Sequence, residues 1–183
     1  MNKQFINYET LLKVTKAMSI SRDPEEVVVL TVESVKKALG IKGCALFLID
    51  PKGDELELVA SDGLSKEYLS KGPISSSRSI VQSLKDGPVA IYDVSNDPRI
   101  QYPEAAKKEG IASILSVPIF VRGDLIGAMR VYTSDKWEFT LEDVNIVQAL
   151  GQMAGMLLDM CRLLQGQNQM IDVLTTMREQ RAM

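Results

Sequence analysis

The chain has 183 residues, of which 45% are hydrophobic and 25% charged, and this suffices for one domain with a buried core. Its net charge of −3 argues against a nucleic-acid partner, because phosphates select a basic surface. The sequence contains no histidine, which excludes histidine-dependent acid–base catalysis, histidine metal sites and a proximal haem ligand.

Two helices are predicted at the start of the chain. Between residues 4 and 19 helical spacing relates Tyr8, Leu11, Leu12, Thr15 and Met18. A second helix follows the Asp23 cap, with Pro24 at its first position, and ends at Gly40. We expect both helices to pack on a sheet or on a partner.

Two strands come next. Residues 44–49 show no polar alternation, which is typical of a central strand buried on both faces. In the next strand Leu56, Leu58 and Ala60 alternate with Glu55 and Glu57, so this strand is predicted to have one face nearer water and to lie toward an edge of the sheet. Cys44 is interpreted as a small core residue, because no basic neighbour in the sequence would lower its pKa.

The segment from residue 62 to residue 86 is less regular. Ser65 is placed to cap a short helix that carries Tyr68. Serines and an arginine at 75–79 precede a further helix, where free N–H groups would attract an anion, although an N-cap in a polar loop is the plainer interpretation. Residues 89–92 then predict a short strand.

The clearest pattern in the chain lies between residues 97 and 132. Pro103 is predicted to open a short helix and Gly110 to end it. Residues 113–120 and 125–132 are apolar runs of strand length, and the Arg-Gly-Asp tripeptide at 122–124 predicts the hairpin turn between them.

A long helix is predicted after Thr140, which forms a capping box with Asp143; Phe139 and Val144 are placed for a hydrophobic staple. Spacings of four and three then define a heptad seam of Met153, Leu157, Met160, Leu164, Gln167, Ile171 and Leu174. Residues after about 163 have no domain left to pack on. A parallel homodimer through this helix and the helix at 4–19 is therefore predicted.

The stretch from residue 97 to 132 resembles the second half of a GAF domain, a small-molecule-sensing module of signalling proteins. The resemblance is carried by DPR, YPEAA, EGI, a small-residue-rich strand ending in VPI, and a hairpin into LIGAMRVY. It covers about residues 24–164 and implies an α+β, three-layer α/β/α fold of the GAF/PAS type. A central antiparallel sheet of five to six strands would carry terminal helices on one face, with short helices and loops over a ligand pocket on the other.

The resemblance also implies a division of the chain and a set of pocket residues. The expected parts are an N-terminal helix of the dimer bundle at 1–20, a GAF domain at 21–164 and a signalling-helix extension at 165–183. The candidate ligand-binding residues are Tyr68, Ser77, Ile80, Tyr92, Arg99, Tyr102 and Ser116. Tyrosines supply flat apolar area with one polar end, and the arginine and serines offer contacts to an anion, but each residue fits an ordinary core equally well.

Single residues exclude several subtypes of the family. Bilin-binding members use a cysteine beside a histidine, and haem-binding members use an axial histidine, whereas this chain has none. Cys44 and Cys161 match none of the pocket cysteines of members that reduce free methionine sulfoxide.

The motif of cyclic-nucleotide-binding members is matched only in part. Lys136, Phe139 and Asp143 are present, but Asp135 replaces the motif's asparagine and Val144 replaces its glutamate. These motif residues act largely through structure in that family, so the partial match is weak support for a nucleotide ligand.

The predicted function is a sensory or regulatory module that binds an unknown small metabolite. It would relay occupancy through a helical homodimer to an output domain such as a kinase, cyclase or transcriptional regulator, in two-component or cyclic-nucleotide signalling. The chain is interpreted as a fragment of a multidomain protein or a stand-alone sensor. The alternative is a protein-interaction or dimerisation module with no small-molecule ligand.

Other functions and locations are not expected. No nucleophile–base spacing stands out, so we expect neither an enzyme nor a catalytic residue, and no cofactor or metal. No apolar run approaches the ~18 residues of a membrane span, and the N-terminus lacks the apolar core of a signal peptide. A cytoplasmic location is therefore predicted.

Overall fold

The structure is a computed structural model that describes residues 12–16, 19–20, 23–49, 55–72, 74–75 and 86–181. Residues 12–16 are helical. The labelled elements are, in chain order, α1 (Pro24–Leu39), β1 (Gly43–Ile49), β2 (Glu55–Asp62), α2 (Lys66–Leu69), β3 (Ile74–Ser75), β4 (Val89–Ile91), α3 (Pro103–Lys108), β5 (Ser113–Val121), β6 (Asp124–Thr133) and α4 (Leu141–Arg181). The rest of the helix predicted at 4–19 lies outside the described residues.

The strands form one six-stranded sheet in the order β3-β2-β1-β6-β5-β4, with every described pairing antiparallel. Strand β1 lies between β2 and β6, and β5 lies between β6 and β4, as their apolar sequences predicted. The predicted α+β class with a central antiparallel sheet is therefore confirmed.

One face of the sheet, here called the helix face, is covered by α1 and α4. Val32 of α1, Leu46 of β1, Met129 of β6 and Leu150 of α4 belong to one buried cluster. Val14 from the helical residues 12–16 is buried in the same cluster. Alternate residues of β1, β5 and β6 contribute to this cluster, since neighbouring side chains point to opposite faces.

The opposite face, here called the loop face, is covered by short helices and turns. Phe47 of β1, Ile114 of β5 and Tyr132 of β6 project from the sheet into a second buried cluster. Tyr68 of α2 and Ala106 of α3 reach the same cluster from the cover. The predicted arrangement, with long helices on one face and short helices and loops on the other, is confirmed.

The local signals in the sequence explain where the elements begin and end. The Asp23 carboxylate accepts a hydrogen bond from the Glu25 N–H at 3.0 Å. Thr140 and Asp143 form the reciprocal capping box: the Thr140 N–H donates to Asp143 Oδ2 at 2.9 Å, and the Asp143 N–H donates to Thr140 Oγ1 at 3.2 Å. The predicted helix starts at Asp23 and Thr140 are thus confirmed by their capping contacts.

The turn between β5 and β6 contains two residues, whereas the tripeptide at 122–124 predicted three. Val121 pairs with Asp124, which is the first residue of β6, so only Arg122 and Gly123 form the turn. Their φ angles are 55° and 95°, the left-handed values that a two-residue hairpin turn requires at both positions. Within the described ranges, no helix combines the length and apolar character needed to cross a bilayer.

Helix α4 packs closely on the sheet at two glycines, Gly151 and Gly155, and substitution of Gly155 tests how close this packing is. A Cβ on Gly155 would collide with Ile119 Cγ2, whereas a Cβ on Gly151 would lie 3.2 Å from Val117 Cγ2. We expect Gly155→Ala to lower the free energy of unfolding by about 1–2 kcal/mol, because overpacking outweighs the gain in helix propensity. Gly151→Ala is the matched control, with a change of about zero. Denaturant unfolding measures both, and equal effects would contradict the packing described here.

Candidate ligand-binding face

A charged side chain is buried on the loop face. Arg130 follows the alternation of β6, so it projects to the same side as Ala128 and Tyr132. It is only 6% exposed, and its Nε donates to Ser116 Oγ at 3.3 Å. Its guanidinium carbon lies 5.2 Å from the centroid of the Phe47 ring.

The guanidinium of Arg130 is incompletely paired. Among the residues that the structure describes, Nη2 has no hydrogen-bond partner and no carboxylate forms an ion pair with Arg130. A buried charge without a counter-ion lowers the free energy of unfolding by roughly 3–5 kcal/mol relative to a paired one. The arginine therefore has donor capacity that the described part of the protein does not use.

Two tyrosines lie beside this arginine. The rings of Tyr68 and Tyr132 meet edge to face with centroids 6.1 Å apart. Burial raises the pKa of the Tyr132 hydroxyl to about 12, against an opposing effect of the Arg130 charge. Burial also raises the pKa of Tyr68, and the neighbouring Tyr132 adds to this. Both phenols therefore stay neutral and able to donate a hydrogen bond at physiological pH.

A second cation approaches the same site from the cover. Lys71 Nζ lies 3.6 Å from the centroid of the Tyr68 ring and donates to the Tyr68 carbonyl at 3.1 Å. Burial, followed by the positive charge of Arg130, lowers the pKa of Lys71 to about 8, and Glu109 acts in the opposite direction. Lys71 contacts Tyr68, and Tyr68 belongs to the same buried cluster as Phe47, which lies beneath the Arg130 guanidinium, so both cations lie on the loop face.

The nearby carboxylate of Glu109 is already engaged. It accepts hydrogen bonds from the Ser65 hydroxyl and, at 3.0 Å, from the Ser65 N–H, and it lies 3.6 Å from Lys42 Nζ. Burial pushes the pKa of Glu109 upward, but the Ser65 hydrogen bonds and Lys42 hold it below its usual value. An ionised Glu109 thus bonds to Ser65 and pairs with Lys42, and among the described residues it forms no ion pair with Arg130 or Lys71.

A shallow cavity of about 290 Å³ opens between α2 and α3, and it is lined by Ser65, Glu67, Tyr68, Ala105, Lys108 and Glu109. An exposed ion pair between Lys108 and Glu67, at 2.5 Å, lies at its solvent side. Tyr68 is shared by this cavity and the buried cluster of the loop face. The cavity therefore gives solvent an approach to the cover above the sheet.

The structure brings together some of the predicted site residues. Tyr68 and Ser116 lie on the loop face beside Arg130. The Tyr102 hydroxyl accepts a hydrogen bond from Gln101 Nε2 at 3.0 Å and would meet any Cβ placed on Gly72, so it also lies against the cover. Ser77 and Ile80 lie outside the described residues.

Two other predicted residues are placed differently. Tyr92 is 55% exposed, with Lys136 Nζ 5.8 Å from its ring centroid. Arg99 forms an ion pair with Asp97 at 2.6 Å and donates to the Ala90 carbonyl at 3.2 Å. Both lie toward solvent, outside the buried group of Arg130, Tyr68 and Tyr132, and their role in binding stays a prediction.

Residues of the partial cyclic-nucleotide motif serve structural contacts. Lys136 pairs with Asp93 at 2.5 Å and so ties the segment before α4 to the turn after β4. Phe139 stacks on Trp137 with centroids 5.9 Å apart, and Asp143 accepts a hydrogen bond from Trp137 Nε1 at 3.3 Å in addition to its capping role. These contacts account for the three matching residues without a nucleotide.

Neither cysteine has the surroundings of a reactive thiol. Cys44 and Cys161 are both free and buried. Burial raises the pKa of the Cys44 thiol, with a further rise from Asp62, and burial followed by Asp23 raises that of Cys161. Both thiols are thus held in their less nucleophilic form. Among the described residues, no group of three or more potential ligands is placed to hold a metal ion.

Comparison with known proteins identifies the family. The family model described as "GAF domain" matches residues 23–158. This span is well over half of the chain, so the chain belongs to the GAF domain family. The division at 1–20, 21–164 and 165–183 stays a prediction.

Solved structures with this fold come from proteins of several kinds. The GAF domain of a phosphoenolpyruvate-protein phosphotransferase from Coxiella burnetii is 20% identical, with a TM-score of 0.75 over 86% of this chain and 95% of that one. A free methionine-R-sulfoxide reductase from Neisseria meningitidis, solved with its substrate, is 22% identical, with a TM-score of 0.72 over 85% and 90%.

A domain of a putative two-component sensor histidine kinase from Sinorhizobium meliloti 1021 is 21% identical, with a TM-score of 0.65 over 79% of this chain and 96% of that one. A search of curated proteins found no match. The family and the kinds of protein that share its fold support a sensory or regulatory module, while identities near 20% carry no ligand over to this chain.

Proposed function

We propose that this chain is a sensory module that binds a small metabolite on its loop face and transmits occupancy through α4. The observation that carries the proposal is the buried guanidinium of Arg130, which has donor capacity that no described residue uses, beneath a cover of short helices and turns. Stability alone does not explain such a group, because a buried charge lacking a counter-ion is destabilising. Covers of this kind also open more readily than packed helices, which gives a ligand access.

A structural connection runs from this site to α4. Ser116, the hydrogen-bond partner of Arg130, lies on β5, and the same strand is bonded to α4 further along. Gln148 Nε2 donates to the Pro118 carbonyl at 2.8 Å, and the Phe120 N–H donates to Gln152 Oε1 at 3.2 Å. A ligand that shifts Arg130 and Ser116 would therefore displace the strand to which α4 is attached.

Helix α4 also offers a surface for a second copy of the chain. Met156, Met160, Leu163 and Leu164 are all exposed, and their spacing places them along one side of the helix. We call this set the α4 stripe. It continues the heptad pattern of residues 167–174, and we propose that it forms a homodimer interface together with the N-terminal helix.

The first two residues of the predicted seam have another partner. Met153 and Leu157 pack against the buried cluster of the helix face within the same chain. The proposed dimer seam is therefore shorter at its start than the heptad spacing suggested. Its continuation would lead into an output domain, such as a kinase, cyclase or transcriptional regulator.

The α4 stripe equally favours the second candidate, a dimerisation module without a small ligand. That candidate leaves the incomplete pairing of the buried Arg130 guanidinium among the described residues unexplained. We further propose that the chain is not an enzyme, since its thiols are buried and its sequence has no histidine. Because a methionine sulfoxide reductase shares the fold, the proposal that this chain is not an enzyme is tested by a direct assay for turnover.

Protein purified from its own host under non-denaturing conditions tests the proposal. Native mass spectrometry should reveal a bound small molecule that is lost after unfolding and refolding. In hydrogen exchange, the protein as purified should then protect amides in residues 62–112 more than those in α4, relative to the refolded protein. The dimerisation-only candidate requires no bound mass and identical exchange in both samples, and that result would contradict a sensory role.

A further inference from the structure

We propose that Arg130 and Lys71 together hold the carboxylate group of a small acidic metabolite on the loop face. This inference rests on the proposed sensory function and assigns the chemical class of its ligand. Arg130 was not among the residues that the sequence pattern selected as site candidates.

The geometry favours an anion over a neutral ligand. Arg130 Nη2 is buried and has no hydrogen-bond partner among the described residues, and Lys71 donates one hydrogen bond to the Tyr68 carbonyl, which leaves two of its three N–H groups. Neither cation forms an ion pair with a carboxylate among the described residues. An anionic group placed between them would satisfy both charges in a region where the effective dielectric constant is low.

The number of donors favours a carboxylate over a phosphate. A phosphate is commonly held by several backbone N–H groups at a helix start or in a glycine-rich turn. On this face α3 begins with Pro103, which has no N–H, and at α2 the Tyr68 N–H already donates to Ser65 Oγ at 3.1 Å. One guanidinium nitrogen and one ammonium group match the two oxygens of a carboxylate, and the neutral phenols of Tyr68 and Tyr132 can add hydrogen bonds.

The surrounding side chains suit the rest of a small organic acid. Phe47 lies beneath the guanidinium, and the rings of Tyr68 and Tyr132 stand at right angles to each other beside it. These rings offer apolar contact area for a short carbon chain. The carboxylate would thus fix the orientation of the ligand, while the aromatic walls limit its size.

The first arm of the test measures the ligand-free protein. Arg130→Met keeps a side chain of similar length and removes the unpaired charge. If the arginine is retained for a ligand, we expect the melting temperature of the refolded, ligand-free variant to rise by about 2–8 °C. Arg122→Met is the matched control, because Arg122 lies in the exposed hairpin, paired with Asp159, and its loss should change the melting temperature little. An Arg130→Met variant that is less stable than the parent, or unfolded, shows a structural role and overturns the inference.

The second arm measures which compounds stabilise the protein. The full chain is titrated with acetate, propionate and succinate, with the neutral acetamide, propionamide and succinamide, and with inorganic phosphate. We expect the carboxylates to raise the melting temperature of the parent and of Arg122→Met, while the amides and phosphate do not. Arg130→Met should weaken carboxylate binding by about 10–100-fold, the loss expected for a hydrogen bond to a charged group.

The remaining outcomes separate the inference from the sensory proposal. No stabilisation by any carboxylate, equal stabilisation of Arg130→Met, or a preference for amides or phosphate would each overturn the carboxylate assignment. The sensory proposal survives those results if protein from its own host carries a neutral or phosphorylated metabolite. It fails only when that protein carries no small molecule.

Discussion

Replacing Met160 and Leu164 with aspartate should convert the proposed homodimer into monomers. Both side chains are exposed in the isolated chain, by 48% and 42%, so the substitutions leave its own core intact. In a dimer joined along the α4 stripe, each would place a charge in an apolar contact, and the symmetry of the dimer repeats the charge on the partner helix. We expect the dissociation constant to rise at least ~100-fold.

Light scattering at micromolar concentration measures this change. Leu141→Asp is the matched control, because this exposed leucine lies in the first turn of α4, away from the stripe, where a negative charge is favourable. The control should remain dimeric, and circular dichroism should show all variants folded. A parent protein that is monomeric, or a dimeric double variant, would remove the support for a relay through α4.

The sequence predicted the framework because its signals are local. The Asp23 cap, the Thr140 and Asp143 capping box and the Arg122-Gly123 turn each depend on residues within four positions of one another. The two faces of the sheet also followed, since strands β1 and β5 are apolar on both sides and both sides must be covered. These features required no knowledge of long-range contacts.

The candidate site was predicted less well because its properties depend on distant segments. A single arginine inside the apolar run LIGAMRVY was the available signal, and the alternation of the strand assigns it to the face of Ala128 and Tyr132. Its incomplete pairing, however, depends on where the carboxylates of the covering segments lie. Glu109 precedes Arg130 by more than twenty residues in the sequence, and it accepts a hydrogen bond from Ser65 that no local pattern reveals.

Local rules could have predicted where two of the site candidates lie. Ala90 is exposed and Ile91 is buried in β4, so the same alternation directs Tyr92 toward solvent. Arg99 follows Asp97 by two residues, close enough for the ion pair that the structure shows. By contrast, the packing of Met153 and Leu157 on the helix face required knowledge of the sheet, because a heptad pattern does not distinguish an internal partner from a second chain.

Carboxylate binding should take up a proton above pH 8, and this prediction follows from the charges around Lys71. Burial lowers the pKa of Lys71 to about 8 in the free protein, and the charge of Arg130 acts in the same direction. Three other titratable groups face it, and none of them titrates in this range, because Tyr68 and Tyr132 have raised pKa values and Glu109 has a lowered one. The positive charge of Arg130 faces it as well. Lys71 is therefore the group whose protonation binding would change.

The direction of the effect follows from the sign of the ligand charge. A carboxylate beside Lys71 favours the ammonium form, so the pKa of Lys71 must be higher in the complex than in the free protein. Below pH 8 the lysine is protonated in both states, and the affinity should not vary with pH. Above pH 8 the free protein loses the proton that the complex retains, so the affinity should fall by up to about tenfold for each pH unit until the pKa of the complex is reached.

Isothermal titration calorimetry in buffers of different ionisation enthalpy counts the protons taken up on binding. With succinate at pH 9 we expect the parent protein to take up a proton, approaching one per ligand when the two pKa values are well separated. Lys71→Met removes the titrating group, so the variant should bind more weakly at pH 7 and show no pH dependence between pH 7 and 9. If the variant retains the slope of the parent, or if the parent's affinity rises with pH, Lys71 does not contact the bound carboxylate.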